Sequence, residues 1–367
     1  MLQRLYVNNF RCLENFELNL TDLSSALLIG KNGTGKSTVA AALVLLQRVG
    51  RGVNKVGHLI APKDFARGRS NVPVRFELEV LLDEKLFKYV LALELAPKAR
   101  ELQIFEESLS IAGSLVYSRQ AAMVSLADRQ ASTFSVDWHM VALPIIQDQT
   151  EGNPAQRFKT WLAQMMILAP VPSLMGGDSN GDDTLEPERN GANFSAWFSS
   201  LLSQYPAAYT HIASWLQQVM PDFHAVKNTL VGKEGKSIVV QFASNGANFE
   251  IAFDDLSDGE KCFFLCAVVL AANEHYGPLF CFWDEPDNYL SLSEVGHFVV
   301  ALRRAVLRKG QLLMTSHNAE AIRKFSEDNI LVLDRKSHLE PTMLRKLADL
   351  GVEGDLVSAL ILGDVEL

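Results

Sequence analysis

Gly30-Lys31-Asn32-Gly33-Thr34-Gly35-Lys36-Ser37 decides the fold. It follows a short apolar run, Ala26-Leu27-Leu28-Ile29, and leads into a helical pattern from Ser37 to Arg48. A strand, a Gly-rich loop and a helix in that order are the setting in which a loop of this spacing cradles phosphates. Gly30, Gly33 and Gly35 permit a tight path and close approach of backbone to ligand, so the N–H groups of Asn32, Gly33, Thr34, Gly35 and Lys36 can surround phosphate oxygens. Lys36 would reach the β and γ phosphates, Ser37 would offer its hydroxyl to magnesium, and Thr38 continues the loop. The bland alternative is a Gly-rich turn without a ligand, and the flanking strand and helix weigh against it.

Outward from the loop, Leu2 to Phe10 alternates apolar and polar residues as a strand does. Val74 to Val80 and Tyr89 to Leu95 alternate in the same way, with Asp83-Glu84-Lys85 near a turn, which predicts an antiparallel hairpin or meander. Residues 98–187 give only short strand-like pieces, a helix near Gln156 to Met166, and the tract Gly176-Gly177-Asp178-Ser179-Asn180-Gly181-Asp182-Asp183. That tract reads as a solvated loop, with cation chelation the weaker alternative. Asn193 to Met220 predicts two amphipathic helices split near Tyr205-Pro206. No apolar heptad persists, so a long coiled-coil arm is not expected.

Beyond Pro221 the pattern returns to strands, Ser237 to Phe242 and Asn248 to Phe253. Leu256-Ser257-Asp258-Gly259-Glu260-Lys261 then opens a helix to about Asn273. The apolar strand Leu279 to Trp283 runs into Asp284-Glu285-Pro286. A helix from Ser293 to Leu307, the run Gln311 to His317 and a last strand, Ile330 to Leu333, follow. Buried strands alternating with helices predict a parallel sheet. The expected class is α/β: a phosphate-loop parallel sheet, an antiparallel β subdomain and an inserted, mainly helical segment. The expected division is a first lobe at 1–95, an inserted mixed region at 96–224 and a second lobe at 225–367.

The 367 residues are 48% hydrophobic and 21% charged with a formal net charge of -9, which suits a large globular core and excludes a polycation. Apolar runs fall short of the roughly 20 residues of a membrane span, and a cytoplasmic location with no membrane partner is expected. Cys12, Cys262, Cys266 and Cys281 form no Cys-x-x-Cys pair and read as buried reduced thiols; a metal shared by Cys262 and Cys266 is the weaker alternative.

Asp284 and Glu285 close an apolar strand, where Asp284 can orient magnesium or its water and Glu285 can polarise an attacking water. Two carboxylates capping a strand end is the bland alternative. His317 follows another apolar strand and reads either as a structural histidine or as a sensor of the γ phosphate.

At this point the sequence resembles the ABC-type ATPases, within them the RecF, SMC and OLD branch. The resemblance rests on Phe10-Arg11-Cys12-Leu13-Glu14, the loop from Gly30 to Ser37, the signature Leu256 to Lys261, Phe280 to Glu285 as Walker B, Asp287-Asn288-Tyr289-Leu290 as the D-loop, and Thr315-Ser316-His317-Asn318 as the switch. Asn190-Gly191-Ala192-Asn193 before a helix also looks like a segment of small stand-alone members. The resemblance implies ATP and Mg2+ as cofactors and an ATP-dependent homodimer or higher oligomer, in which Ser257 and Gly259 of one chain contact the γ phosphate held by the other, with Asp287 at that shared site. Asp258 stands where transporters carry glycine. The glutamine that the family places on magnesium has two candidates, Gln47 and Gln103.

Two functional classes follow from the resemblance. In one, the ATPase is a scaffold that restrains or delivers a separate nuclease or toxin effector, as stand-alone members of anti-phage defence systems do; beyond Leu333 few residues remain for the Toprim nuclease domain that OLD proteins carry. In the other, it is a DNA-binding ATPase of repair or maintenance, with Arg48, Arg51, Lys55, Lys63, Arg67 and Arg69 forming either a DNA track or a solvated face. A transporter subunit is a third option, disfavoured by the long spacing between loop and signature.

Overall fold

The structure, a computed structural model, describes residues 1–96, 101–127, 132–146, 153–181, 183–232 and 235–350. The chain divides into two compact units, one from Met1 to Met165 with a return beginning at Glu327, the other from Met166 to Ser326.

The first unit opens with β1 (Leu2–Asn8), β2 (Phe16–Asn19) and β3 (Ser25–Ile29), followed by α1 (Lys36–Gly50) and the single turn α2 (Val56–Leu59). Six strands come next: β4 (Val74–Leu82), β5 (Lys85–Leu95), β6 (Leu102–Ile111), β7 (Ser114–Gln120), β8 (Met123–Leu126) and β9 (Thr133–Ser135). They join β1 and β2 in an antiparallel sheet ordered β2-β1-β4-β5-β6-β7-β8-β9. Val74, Phe76, Leu78 and Val80 are all buried, so every second residue of β4 turns to the core. Asp83 and Glu84, at φ 46 and 62, form the two-residue turn to β5, in the left-handed conformation that matches strand twist.

The strands β6 and β7 are only fragments in the sequence because each has a charged residue buried within it. Glu107 and Arg119 side chains are wholly buried, 3.8 Å apart. Glu107 accepts hydrogen bonds from Ala142 N (2.7 Å), Leu143 N (2.9 Å) and the Tyr117 hydroxyl (2.9 Å). Arg119 donates to the carbonyls of Ala121, Met140 and Asp137. The pair ties the chain from Asp137 to Leu143 onto the sheet. Burial raises the Glu107 carboxyl pKa, opposed by the N–H and hydroxyl donors around it.

Helix α3 (Pro154–Gln164) starts with Pro154 at its first position and Asn153 as cap, the Asn153 side chain accepting from Ala155 N at 2.7 Å. It packs on α1 so closely that a Cβ on Gly50 would lie 2.5 Å from Leu162 Cβ.

The second unit contains β10 (Met166–Leu168), β11 (Asp178–Ser179), α4 (Phe194–Gln204) and α5 (Ala208–Val219). It continues with β12 (Phe223–Val231), β13 (Gly235–Ser244), β14 (Ala247–Ala252), α6 (Asp258–Tyr276), β15 (Phe280–Trp283), α7 (Leu292–Arg308), β16 (Gln311–Thr315) and the short α8 (Ala319–Ile322). Strands β10, β15 and β16 pair in parallel and are buried throughout, which is why they read as unbroken apolar runs. β13 pairs antiparallel with β11, β12 and β14, so part of the Gly176–Asp183 tract is strand, not loop. α6 is buried along most of its length, including Cys262 and Cys266, and burial pushes the Cys262 thiol up to about 12. The chain then returns to the first unit as β17 (Ile330–Asp334), parallel to β3, and β18 (Met343–Lys346), antiparallel to β17.

At 19 residues α6 is the longest helix among the described residues, which leaves no long coiled coil there. None of the described helices is long and apolar enough to cross a membrane.

Candidate functional site

In the first unit, β3 delivers the chain into the loop and α1 takes it away. Gly33 and Gly35 adopt φ 82 and 112, left-handed conformations that a side chain would strain. At Gly30 the constraint is space: a Cβ would lie 2.4 Å from the Leu333 carbonyl oxygen and 2.8 Å from Thr34 Oγ1. Gly35 is the N-cap of α1 and supplies no side-chain acceptor, so the first turn of the helix offers N–H groups to a ligand. Lys36, only 7% exposed, donates from Nζ to Gly30 O at 2.7 Å. Its ammonium is held over the loop by the loop's own backbone. Thr34 Oγ1 donates to Lys31 O at 2.8 Å, Ser37 and Asn32 are exposed, and Thr38 Oγ1 accepts from Cys12 Sγ at 3.5 Å.

Two residues brace this loop: Thr342, which carries no sequence signal, and Cys12. Thr342 donates from Oγ1 to Thr34 O at 2.7 Å and from its N–H to Cys12 O at 3.0 Å. A Cβ on Gly35 would lie 3.0 Å from both Thr342 Oγ1 and Cys12 Sγ. Cys12 belongs to the Phe10–Glu14 stretch, so that stretch supports the loop from behind.

In the second unit, Thr315 at the end of β16 joins Asp284 and Glu285, the two residues that follow β15. Its hydroxyl donates to Asp284 Oδ1 at 2.7 Å and accepts the Glu285 N–H at 2.9 Å. Asp284 N donates to Leu168 O of β10 at 2.7 Å, which fixes the strand end on its other side. Glu285 sits at φ 48, a left-handed conformation that costs a non-glycine residue about 1–2 kcal/mol. The Thr315 hydroxyl and the Asn288 side chain, which donates to Glu285 Oε2 at 2.7 Å, hold it there. His317 Nε2 lies 3.5 Å from Glu285 Oε1.

Asp287 is 5% exposed; its Oδ2 accepts from Ser316 Oγ at 2.9 Å, while its Oδ1 has no hydrogen-bond partner. Burial raises its pKa, with the Ser316 hydroxyl acting in the opposite direction. Ser257 caps α6 in a reciprocal box with Glu260: Ser257 N donates to Glu260 Oε2 at 2.8 Å, and Glu260 N to Ser257 Oγ at 3.4 Å. A Cβ on Gly259 would stand 3.1 Å from Tyr289 O, which places the helix start beside the D-loop segment.

The residues expected at the site therefore fall into two groups. Gly30 to Thr38 lie together in the first unit. Asp284, Glu285, Asp287 and His317 lie together in the second, joined through Thr315 and Ser316, with Ser257 and Gly259 at the start of α6. Neither glutamine candidate faces such a group: Gln47 is buried in α1 and donates to Met165 O, and Gln103 on β6 donates to Glu94 Oε1 at 2.6 Å. Three of the six basic residues considered for DNA are already engaged. Arg67 and Arg69 both bind Glu14, and Arg51 donates to Ala163 O at 3.1 Å.

The donor set suits a nucleotide with magnesium. In the first unit the uncapped start of α1 and the glycine cradle suit phosphate oxygens, and Ser37 offers an exposed hydroxyl; in the second unit Asp284 offers a carboxylate oxygen, and either is the kind of small protein share that magnesium takes when phosphates and waters complete its shell. No cluster of three or more metal-binding His, Cys, Asp or Glu side chains occurs among the described residues, so an all-protein metal cage has no place there.

A family described as "AAA domain, putative AbiEii toxin, Type IV TA system" matches residues 25–323. The OLD nuclease of Thermus scotoductus (strain ATCC 700910 / SA-01) is 48% identical over 46 residues, which span 12% of this chain and 8% of the nuclease. Among solved structures, an Smc head bound to the C-winged helix domain of ScpA superposes with a TM-score of 0.59 at 13% identity, over 95% of this chain and 99% of that one. An Smc head domain with an extended coiled coil, bound to the C-terminal domain of ScpA derived from Pyrococcus furiosus, gives 0.55 at 12% identity, over 100% and 99%. At these identities the likeness is one of fold.

Proposed function

From a chain that belongs to this AAA-domain family and is an ABC-type ATPase of the RecF, SMC and OLD branch, we propose that it binds and hydrolyses ATP, closes as a homodimer around the nucleotide, and serves as a nucleotide-gated scaffold for a separate effector in anti-phage defence. The observation that carries the hydrolytic part is the Thr315 hydroxyl, which holds Asp284 and Glu285 in fixed register at the end of β15.

In this reading the N–H groups of the loop and α1 bind the phosphates, and Lys36 exchanges its hold on Gly30 O for phosphate oxygen. Ser37 of the first unit and Asp284 of the second are each assigned to Mg2+, which would supply charge neutralisation when bound. Glu285 orients and polarises the attacking water. His317, 3.5 Å from Glu285, can bias that carboxylate, and in this reading it senses the γ phosphate. Ser257 and Gly259, at the exposed start of α6, are offered to the nucleotide of a second copy, with Asp287 beside that contact. The effector reading is supported by the family description, which names a putative AbiEii toxin and a Type IV TA system, and by the resemblance to stand-alone members of defence systems. The alternative, a DNA-binding ATPase of repair, draws less support because Arg51, Arg67 and Arg69 are engaged within the chain.

Phosphate release by the purified chain, with Lys36→Ala as control, tests the ATPase. Copurification from the native operon tests the scaffold: a stoichiometric second protein supports it. A lone chain that shifts DNA in an ATP- and salt-dependent manner would favour the alternative.

A further inference from the structure

Asp284 has a second partner, contributed by a segment whose role neither the motifs nor the family match assigns. Arg189 Nη2 lies 3.2 Å from Asp284 Oδ2, the oxygen that Thr315 leaves open. The two residues are 95 apart in sequence, yet their meeting is set by the backbone. Leu168 O accepts the Asp284 N–H at 2.7 Å, and the next residue, Ala169, donates its N–H to Arg189 O at 2.7 Å. One strand end thus holds the carboxylate on one side and the arginine on the other.

The turn that carries Arg189 is itself fixed. Val171 N donates to Asn190 O at 3.0 Å, Gly191 N to Glu188 O at 3.0 Å, and Glu188 N to Asn193 Oδ1 at 2.7 Å. Gly191 sits at φ 78 with Met175 Cγ 3.0 Å from where a Cβ would be, so the turn has no freedom to accept a larger residue. The Arg189 side chain is 41% exposed and that of Asp284 15%, so the guanidinium can swing into solvent without unpacking anything.

We infer that Arg189 is a built-in counter-ion which occupies the metal-side oxygen of Asp284 when no cation is bound and is displaced by the divalent cation. This rests on the assignment of Asp284 to the metal made above. Each carboxylate oxygen keeps a second lone pair, so the competition is one of charge: a divalent cation on Oδ2 would stand beside the Arg189 guanidinium, and the single negative charge of Asp284 favours one cation over the other. Arg189 is thereby a positioning residue that lowers cation affinity and keeps Asp284 neutralised until the nucleotide arrives with its metal.

The test is Mn2+ binding by the full chain, followed by the electron paramagnetic resonance signal of free Mn2+, with a saturating non-hydrolysable ATP analogue. Analogue affinity without metal is measured in parallel. Arg189→Gln is expected to tighten Mn2+ binding about two- to fivefold, the range of an exposed ion pair, and to leave metal-free analogue affinity unchanged. Arg189→Lys keeps the charge and stays near wild type. Arg189→Met, a neutral variant that keeps the apolar stem, repeats the measurement should the glutamine variant fold poorly. Unchanged or weaker Mn2+ binding in the neutral variants overturns the counter-ion role, and so does a loss of metal-free analogue affinity, which would make Arg189 a phosphate ligand. Asp284→Asn separates the two levels: wild-type Mn2+ affinity there would overturn the assignment of Asp284 itself.

Discussion

The Thr315 hydroxyl bridges Asp284 and Glu285, donating to the carboxylate of one at 2.7 Å and accepting the backbone N–H of the other at 2.9 Å. Thr315 is fully buried, so a valine there keeps the shape but removes both bonds and leaves the Glu285 N–H unsatisfied. Such a loss costs about 1–3 kcal/mol. Thr315→Val should slow hydrolysis by about 10- to 100-fold while ATP analogue binding persists, and Thr315→Ser should restore turnover. Equal turnover in the valine variant would remove the bridge from the mechanism.

Gly35 tests the loop by space and conformation together. Its φ of 112 disfavours any side chain, and a Cβ would press on Cys12 Sγ and Thr342 Oγ1 at 3.0 Å. Gly35→Ala should lose nucleotide binding, measured by fluorescence of a labelled analogue, and the loss should exceed that of Thr342→Ser, which keeps the bracing hydroxyl.

The buried Glu107 and Arg119 pair predicts a stability effect far from the nucleotide. Removing one partner leaves the other charge uncompensated, which costs about 3–5 kcal/mol. Glu107→Ala should lower the thermal midpoint sharply, whereas the exposed ion pair of Lys227 and Glu250 should contribute little. A small effect at Glu107 would mean that the chain from Asp137 to Leu143 does not need its anchor.

Asp287 gives a pH dependence of defined sign. Its folded pKa is raised by burial, so the ionised form is penalised in the folded state. The raised pKa favours the fold below the ordinary aspartate range, and that advantage is lost as pH rises through the folded value. Asp287→Asn should therefore be more stable than wild type at neutral pH, with the gap closing on acidification through the folded pKa. Thermal melts of both proteins across a pH series test this, and a gap that widens on acidification would contradict it.

Much of the fold was legible because its signals are local. The strand, loop and helix around Gly30–Ser37, the alternation in β4 and β5, and the apolar runs of β15 and β16 each follow from neighbouring residues. The strands β6 and β7 were not, because buried Glu107 and Arg119 interrupt the apolar pattern with residues that ordinarily mark a surface, and β8 and β9 are too short and exposed to show one. At the site, Asp284 and Glu285 announce themselves by following an apolar strand. Thr342 and Arg189 do not, since each acts across a long sequence separation through a hydrogen bond or an ion pair that periodicity does not encode. Gln47 shows the reverse: a residue of the right type near the loop that proves to be a buried link to Met165.

The central claim, a shared site closed by ATP, is tested most directly by sizing Glu285→Gln with light scattering, with and without ATP, while bound nucleotide is quantified. The account predicts that the variant retains ATP and moves to at least twice the monomer mass only when ATP is present. A variant that holds ATP yet keeps the monomer mass would contradict it.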